Sequence, residues 1–342
     1  VELKNLQKHI KTLVTLEETN APVISCYLNL EHDQAPYQQF IRGRASILRK
    51  ILFGEGLRGF EEAFQQVETF VATELLPEAK GAAIFARGGK APLFLPLQFR
   101  LPLPDWFTVT ALPNIYHLVE LKDNYHRYVL LIAYEESVKI LEVNLGEVSE
   151  QLWLLRPELR QRVGREWTKE HYQSQVRVQT ERMIKETIEM LEQLMSAGGH
   201  THLILAGNPQ VTSRVRKALP KPLAAKLMDS VVASSRDNVS EVVAATLSTF
   251  IEQEEQESLA VVERLQQEVF TNGLAVTGPE DCLQAIQQGQ ADILVIARGI
   301  PDTLTKEELV RLAEKSGCHV EVVNYSEILM AFDGVGCLLR YR

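Results

Sequence analysis

No stretch of the 342-residue chain approaches the roughly 18 consecutive apolar residues of a membrane span, so no membrane role is expected. No charged, then apolar, then small-residue segment opens it, which argues against secretion and leaves a cytoplasmic protein as the expectation. Cysteine is scarce. Cys26, Cys282, Cys318 and Cys337 stand far apart and mostly within apolar runs, a pattern that excludes a disulfide framework and reads as reduced, buried thiols. None sits in a basic cluster that would make it a nucleophile, and the one neighbouring imidazole, in Cys318-His319, precedes a strand and reads as structural. A Gly-rich phosphate loop of the Walker type is missing, and Gly334-x-Gly336 opens a strand rather than a helix, so no nucleotide cofactor is expected. Internal repeats and low-complexity tracts are absent as well.

A basic coat is also missing, since the net charge is −9. The distribution is uneven, however. Residues 156–185 hold eight basic against four acidic side chains, net +4. Residues 203–228 hold Arg214, Arg216, Lys217, Lys221 and Lys226 with no acid, while residues 250–268 hold six Glu against Arg264. Local basic patches on an acidic chain suit a protein that touches RNA at chosen points, and they equally suit solvated helix faces. The acidic stretch Glu252–Glu268 would serve an adaptor as a protein-docking face.

Periodicity organises the chain. Leu3, Leu6, Ile10, Leu13 and Val14 predict a helix over 3–18, followed by a strand over Val23–Leu30 and helices over Tyr37–Phe53 and Phe60–Leu76. Short β-type runs follow at Gly81–Ala86, Pro92–Leu97, Trp106–Leu112 and Tyr116–Leu121, with Arg87-Gly88-Gly89-Lys90 as a hairpin turn. Asp123-Asn124 punctuates. Tyr128–Ala133 and Val138–Val143 predict a second hairpin, and a long helix runs from Gly164 to Ser196 with a buried stripe of Val176, Thr180, Met183, Thr187, Met190, Leu191 and Leu194. His202–Ala206 and Val231–Ala233 read as strands, with a short basic helix after Gly207-Asn208-Pro209. A helix from Asn238 runs on through the acidic stretch. Strand and helix then alternate: Ala275–Thr277, Pro279–Gln287, Ile293–Ala297, Lys306–Ser316, Val320–Val323, Glu327–Ala331 and Val335–Tyr341. The fold class is α/β in three domains: 1–122, α/β with a mixed (or antiparallel) sheet; 123–250, with the long helix; and 251–342, a three-layer α/β/α domain.

The last segment, from Thr277-Gly278-Pro279 through Gly289, Ala291, Asp292 and Leu294 to Gly334, Gly336, Leu338, Arg340 and Tyr341, resembles the C-terminal domain of archaeal and eukaryotic class-1 peptide-chain release factors and of Pelota, their ribosome-rescue relative. The hairpin, long helix and apolar strand ending in Ala206-Gly207 match the order of the middle domain of that family, which resembles the ribonuclease-H fold. The resemblance covers about 123–342. The first domain matches only in size and position, and no Asn-Ile-Lys-Ser segment of the stop-codon-reading kind occurs in the chain.

The departure lies ahead of the long helix. Release factors carry Gly-Gly-Gln there, where the glycines permit a special backbone and the Gln positions water against the peptidyl-tRNA ester. This chain has Arg160-Gln161-Arg162-Val163-Gly164-Arg165-Glu166-Trp167, with Arg165 and Glu166 where Gly and Gln would stand. A bulky charged pair cannot reproduce that role, so the resemblance implies a relative that does not hydrolyse peptidyl-tRNA, and the reading leans against an enzyme. What remains is an Arg-rich tip with interleaved aromatics. Arg160, Arg162, Gly164, Arg165, Trp167, Lys169 and His171 form the candidate RNA-binding set; ordinary i,i+4 pairs over a buried Trp167 are the alternative.

The implied function is a non-hydrolytic, ribosome-associated factor contacting rRNA or tRNA in rescue, hibernation or A-site surveillance. A translational GTPase would dock on the third domain. The alternatives are a peptidyl-tRNA hydrolase with a divergent tip or a metal-dependent nuclease. Against the nuclease, the first middle-domain strand has no acid before Glu135. His200-x-His202 offers two imidazoles without an evident third ligand, so neither metal nor cofactor is expected.

Overall fold

A computed structural model describes residues 3–31, 34–125, 127–145, 147–155, 169–198, 200–300 and 303–341, with side chains masked at 3–4, 34–36, 147, 155, 169–177, 179, 198 and 303. The contacts divide the chain into two units. One joins Val1–Asn124 to Glu254–Arg342, and the other is Tyr125–Gln253.

In the first unit, α1 (Leu3–Val14) buries Leu6, Ile10, Leu13 and Val14 of the stripe read from the sequence, while the Leu3 side chain lies outside the described residues. β1 (Val23–Asn29), α2 (Gln34–Leu48), α3 (Gly54–Thr73), β2 (Gly81–Arg87), β3 (Leu93–Phe99), β4 (Trp106–Thr110) and α4 (Tyr116–Asn124) follow. The sheet runs β3-β2-β1-β4 and every described pairing in it is antiparallel, so of the two expected forms it takes the antiparallel one and not the mixed one. α2 and α3 cover one face, where Tyr37, Ile41, Phe60, Phe64 and Val67 pack on Ile24, Cys26, Leu28, Ala82 and Ile84. α3 starts at Gly54, six residues before the expected Phe60, because the glycines read as breakers are accommodated in its first turns.

Tyr116–Leu121 corrects the sequence reading, because it is the start of helix α4 and not a strand. Its apolar residues suit either structure, and tertiary partners decide. Asn114 N donates to Ser25 Oγ (2.9 Å), Tyr27 Oη donates to Asn114 O (2.7 Å), and the Glu307 carboxylate accepts from the backbone N–H groups of Ile115 and Tyr116. That carboxylate satisfies N–H groups a helix start otherwise leaves open.

The other part of this unit has β10 (Ala275–Thr277), α9 (Pro279–Gln287), β11 (Ala291–Ala297), α10 (Thr303–Ser316), β12 (His319–Val323), α11 (Glu327–Met330) and β13 (Val335–Leu339). The sheet order is β10-β13-β11-β12, parallel only between β11 and β12. The 32-residue helix α8 (Val239–Phe270) supplies Val262 and Leu265 to one face, beside Leu329 of α11. A Cβ at Gly336 would lie 2.4 Å from Leu265 Cδ2, so the helix approaches β13 as closely as it does because that residue is glycine.

The second unit contains β5 (Tyr128–Ala133), β6 (Val138–Asn144), β7 (Glu147–Leu155), α5 (Lys169–Gly198), β8 (His202–Gly207), α6 (Pro209–Ala218), α7 (Lys221–Ala224) and β9 (Leu227–Val232). Its sheet runs β7-β6-β5-β8-β9, with β5, β8 and β9 parallel and the first three strands antiparallel. β7 is an additional strand that the sequence reading did not assign between its second hairpin and the loop around Pro157, which itself lies outside the described residues. α5 and α6 cover one face through Met183, Ile184, Leu191, Met195, Val211 and Val215. The first half of α8 covers the other, where Phe250 stacks on Tyr128 at 5.0 Å and Tyr128 Oη lies 2.9 Å from Thr246 Oγ1. Of the expected α5 stripe, Thr180, Met183, Thr187 and Leu191 are buried, while the Val176 side chain lies outside the described residues. Gly207 takes φ +123°, with its Cα so close to Ala133 that a Cβ would lie 2.1 Å from the Ala133 carbonyl oxygen. Only glycine fits there.

Candidate nucleic-acid interface

Arg160, Arg162, Gly164, Arg165 and Trp167 lie outside the described residues. Lys169 and His171 fall in the first turn of α5, with side chains outside the description. The described basic surface of this unit is therefore the other patch read from the sequence, on α6 and α7.

Asn208 caps α6. Its Oδ1 accepts from Gln210 N at 2.9 Å, and Pro209 occupies the first turn, where its missing N–H is harmless. Val211, Thr212 and Val215 are buried against the sheet, which turns Arg214, Arg216 and Lys217 outward. Lys221 is exposed on α7. Arg216 and Lys217 occupy the last turn, where the helix dipole favours cations. Lys226 is used differently, donating through Nζ to His200 O at 2.6 Å. Four of the five cations thus face solvent on one short segment, free to meet phosphate.

The groove between α5 and α6 is a poor track for a polyanion. It holds about 540 Å³ over a floor of Ile184, Ile188, Ala218 and Pro220, but Glu181, Glu189 and Glu192 share its rim with Lys185 and Arg214. On α5, Arg182 pairs with Glu186 (2.8 Å) and Lys185 with Glu189 (3.9 Å), both at i,i+4 spacing. Exposed pairs of that kind contribute only tenths of a kcal/mol.

Other candidate chemistry resolves plainly. All four cysteines are buried free thiols, and burial pushes Cys318 up to about 12, the wrong direction for a nucleophile. His200 is buried with Nε2 3.3 Å from Glu142 Oε2, whereas His202 meets Thr201 and the edge of the Phe250 ring. Glu135 and Glu136 are exposed at the rim of a 470 Å³ crevice beyond β5, shared with Asn208 and Ser234. Among the described residues, neither belongs to a three-residue group able to hold a metal.

The sequence reading missed a charged network in the first unit. Glu120 pairs with Arg298 and, through Oε2, with His117 Nδ1 at 3.0 Å. Lys306 Nζ lies 3.5 Å from the centroid of the Tyr116 ring and donates to Arg298 O at 2.9 Å. Arg311 donates to Pro113 O. Burial raises Glu307 to about 8, against the lowering pull of Arg311 and two backbone N–H groups. Burial lowers Lys306 to about 8, against Glu120 and Glu307. Burial would raise Glu120 too, but the His117 hydrogen bond and Arg298 outweigh it and hold it below the usual carboxylate range. The pairings that join the unit's two parts, Glu120 with Arg298, Lys306 with Tyr116 and Arg311 with Pro113, span roughly 180 to 200 positions, so no local pattern announces them.

Residues 113–250 match the family described as Bacterial archaeo-eukaryotic release factor family 10. No curated protein matches the chain. Among solved structures the chain is similar to an archaeal translation termination factor, aRF1, at 17% identity, covering 100% of this chain and 99% of that one with a TM-score of 0.32. It is similar to Archaeoglobus fulgidus Pelota at 15% identity, covering 77% and 79% with a TM-score of 0.40. It is also similar to S. cerevisiae Dom34, a translation termination-like factor, at 13% identity, covering 76% and 80% with a TM-score of 0.44. No helix among the described residues is long and apolar enough to cross a membrane. The release-factor family match is thus confined to residues 113–250, and Gly-Gly-Gln occurs nowhere in the sequence.

Proposed function

We propose that the protein binds the ribosome without hydrolysing peptidyl-tRNA and acts in rescue, hibernation or A-site surveillance. The observation that carries this reading is the family match over 113–250 on a chain with Arg165-Glu166 where the family's Gly-Gln would stand. Arg160, Arg162, Arg165 and Lys169 would contact rRNA or tRNA phosphates, with Trp167 and His171 supplying flat surfaces and Gly164 the turn. The exposed Arg214, Arg216, Lys217 and Lys221 support a second phosphate contact on the same unit. A translational GTPase is the partner proposed for the region after Glu254.

Co-sedimentation with ribosomes across growth and starvation tests the reading. Replacing Arg160, Arg162 and Arg165 together by Ala should weaken ribosome binding and flatten its dependence on log salt by about 2–3, close to one unit per lost phosphate contact. Absence from every ribosomal fraction would overturn the assignment, and so would release of peptide from programmed ribosomes at a catalytic rate.

A further inference from the structure

We propose that Asp123, His319 and Glu321 form a binding site for one divalent metal ion of the zinc class. The site lies wholly within the first unit. It joins the C-terminal turn of α4 to β12, residues nearly 200 positions apart.

The three ligand atoms lie within 4.8 Å of one another. His319 Nε2 is 3.5 Å from Glu321 Oε2 and 4.0 Å from Asp123 Oδ1. A direct charge-assisted N–H···O hydrogen bond would close to about 2.7–2.9 Å. Four N and O ligands held about 2.0–2.2 Å from a tetrahedral zinc stand roughly 3.4 Å apart along each edge. Without an ion the 3.5 Å contact is a long His319–Glu321 ion pair, and its length is near the edge of such a ligand shell.

The remaining carboxylate oxygens are held from behind. Asp123 Oδ2 accepts from Val322 N at 2.7 Å, and Glu321 Oε1 accepts from Ser258 Oγ. Outer partners of this kind orient metal ligands and fix which oxygen faces the ion. Charge favours a dication as well. Two carboxylates meet at the carbonyl end of α4, which carries partial negative charge, and an imidazole can return at most one positive charge. Lys122, the adjacent cation, is engaged by Glu314. Asp123 and Glu321 are 5% and 15% exposed, whereas His319 is 46% exposed, leaving an approach for the ion and room for water as fourth ligand. Bound there, the ion closes a very long loop and clips the chain's first part to its last, so its binding free energy is folding free energy.

The test uses tag-free, chelator-treated protein titrated with zinc sulfate. Calorimetry should show one saturable ion per chain, and Tm should rise with zinc concentration. His319→Ala and Asp123→Asn should abolish both; the asparagine keeps an oxygen for Val322 N and so separates metal binding from folding. Ser258→Ala should weaken binding roughly tenfold. Cobalt in place of zinc should give the visible absorption of a tetrahedral nitrogen–oxygen site. That spectrum decides the matter on the wild-type chain even if a variant fails to fold. No saturable zinc binding, zinc binding unchanged in the variants, or a thiolate-to-cobalt band would each overturn the site.

Discussion

α6 and α10 spend their charges in opposite directions. On α6 the buried positions are Val211, Thr212 and Val215, and Arg214, Arg216 and Lys217 face solvent. On α10, Lys306 is only 8% exposed, Glu307 caps α4, and Arg311 reaches the backbone of Pro113. Exposed cations are available to a polyanion and are screened by salt. Buried charges fasten distant parts of the chain and respond to proton concentration. Charge in a sequence therefore has two uses, and only position relative to the core separates them.

The largest expected effect tests the buried side. Glu307→Ala should destabilise the protein by about 3 kcal/mol, because it removes the acceptor of two backbone N–H groups and opens the start of α4. Denaturant unfolding measures this, and a loss below about 1 kcal/mol would mean that water already satisfies those groups.

A pH series is the next discriminator. Between 4.5 and about 8 the unfolded chain releases a proton that folded Glu307 keeps, so stability falls as pH rises; the contribution is complete below 4.5 and gone above about 8. Between about 8 and 10.5 the unfolded chain holds a proton that folded Lys306 has released, so stability rises with pH. The two contributions place a minimum near pH 8. Relative to wild type, Glu307→Gln should flatten the lower limb and Lys306→Met the upper one.

The smallest effect on stability belongs to the exposed side. Replacing Arg214, Arg216 and Lys217 by Ala should change folding stability by no more than about 0.5 kcal/mol per site. It should also flatten the salt dependence of RNA or ribosome binding by about 2–3 if all three meet phosphate. An unchanged salt slope would leave α6 as a merely solvated face and end its part in the comparison.

The chain's regular elements were largely legible. α9 begins at Pro279 and ends at Gln287 as read, with Gly278 before it at φ +86° and Gly289 after it at φ +72°. β5, β6, β8 and β10 follow their apolar runs closely, and the cysteines are reduced and buried as their spacing implied. Failures cluster where the deciding partner is remote. Tyr116–Leu121 reads as a strand until Glu307 accepts its first N–H groups. Asp123 reads as a turn residue until Val322 N, 199 positions away, donates to it. β7 has too little local pattern to announce itself and exists as the edge partner of β6.

The sequence by itself determined the α/β class, the family resemblance and the missing Gly-Gly-Gln, because each is written in local order: apolar period, glycine punctuation and motif. Tertiary structure alone decided that the first 124 residues pack with the last 89, that α4 is a helix, and that Asp123, His319 and Glu321 meet. The physical reason is the same each time. Burial and hydrogen bonding between residues some 190 to 200 positions apart outweigh local preference, and nothing in a short window of sequence records which distant groups will meet.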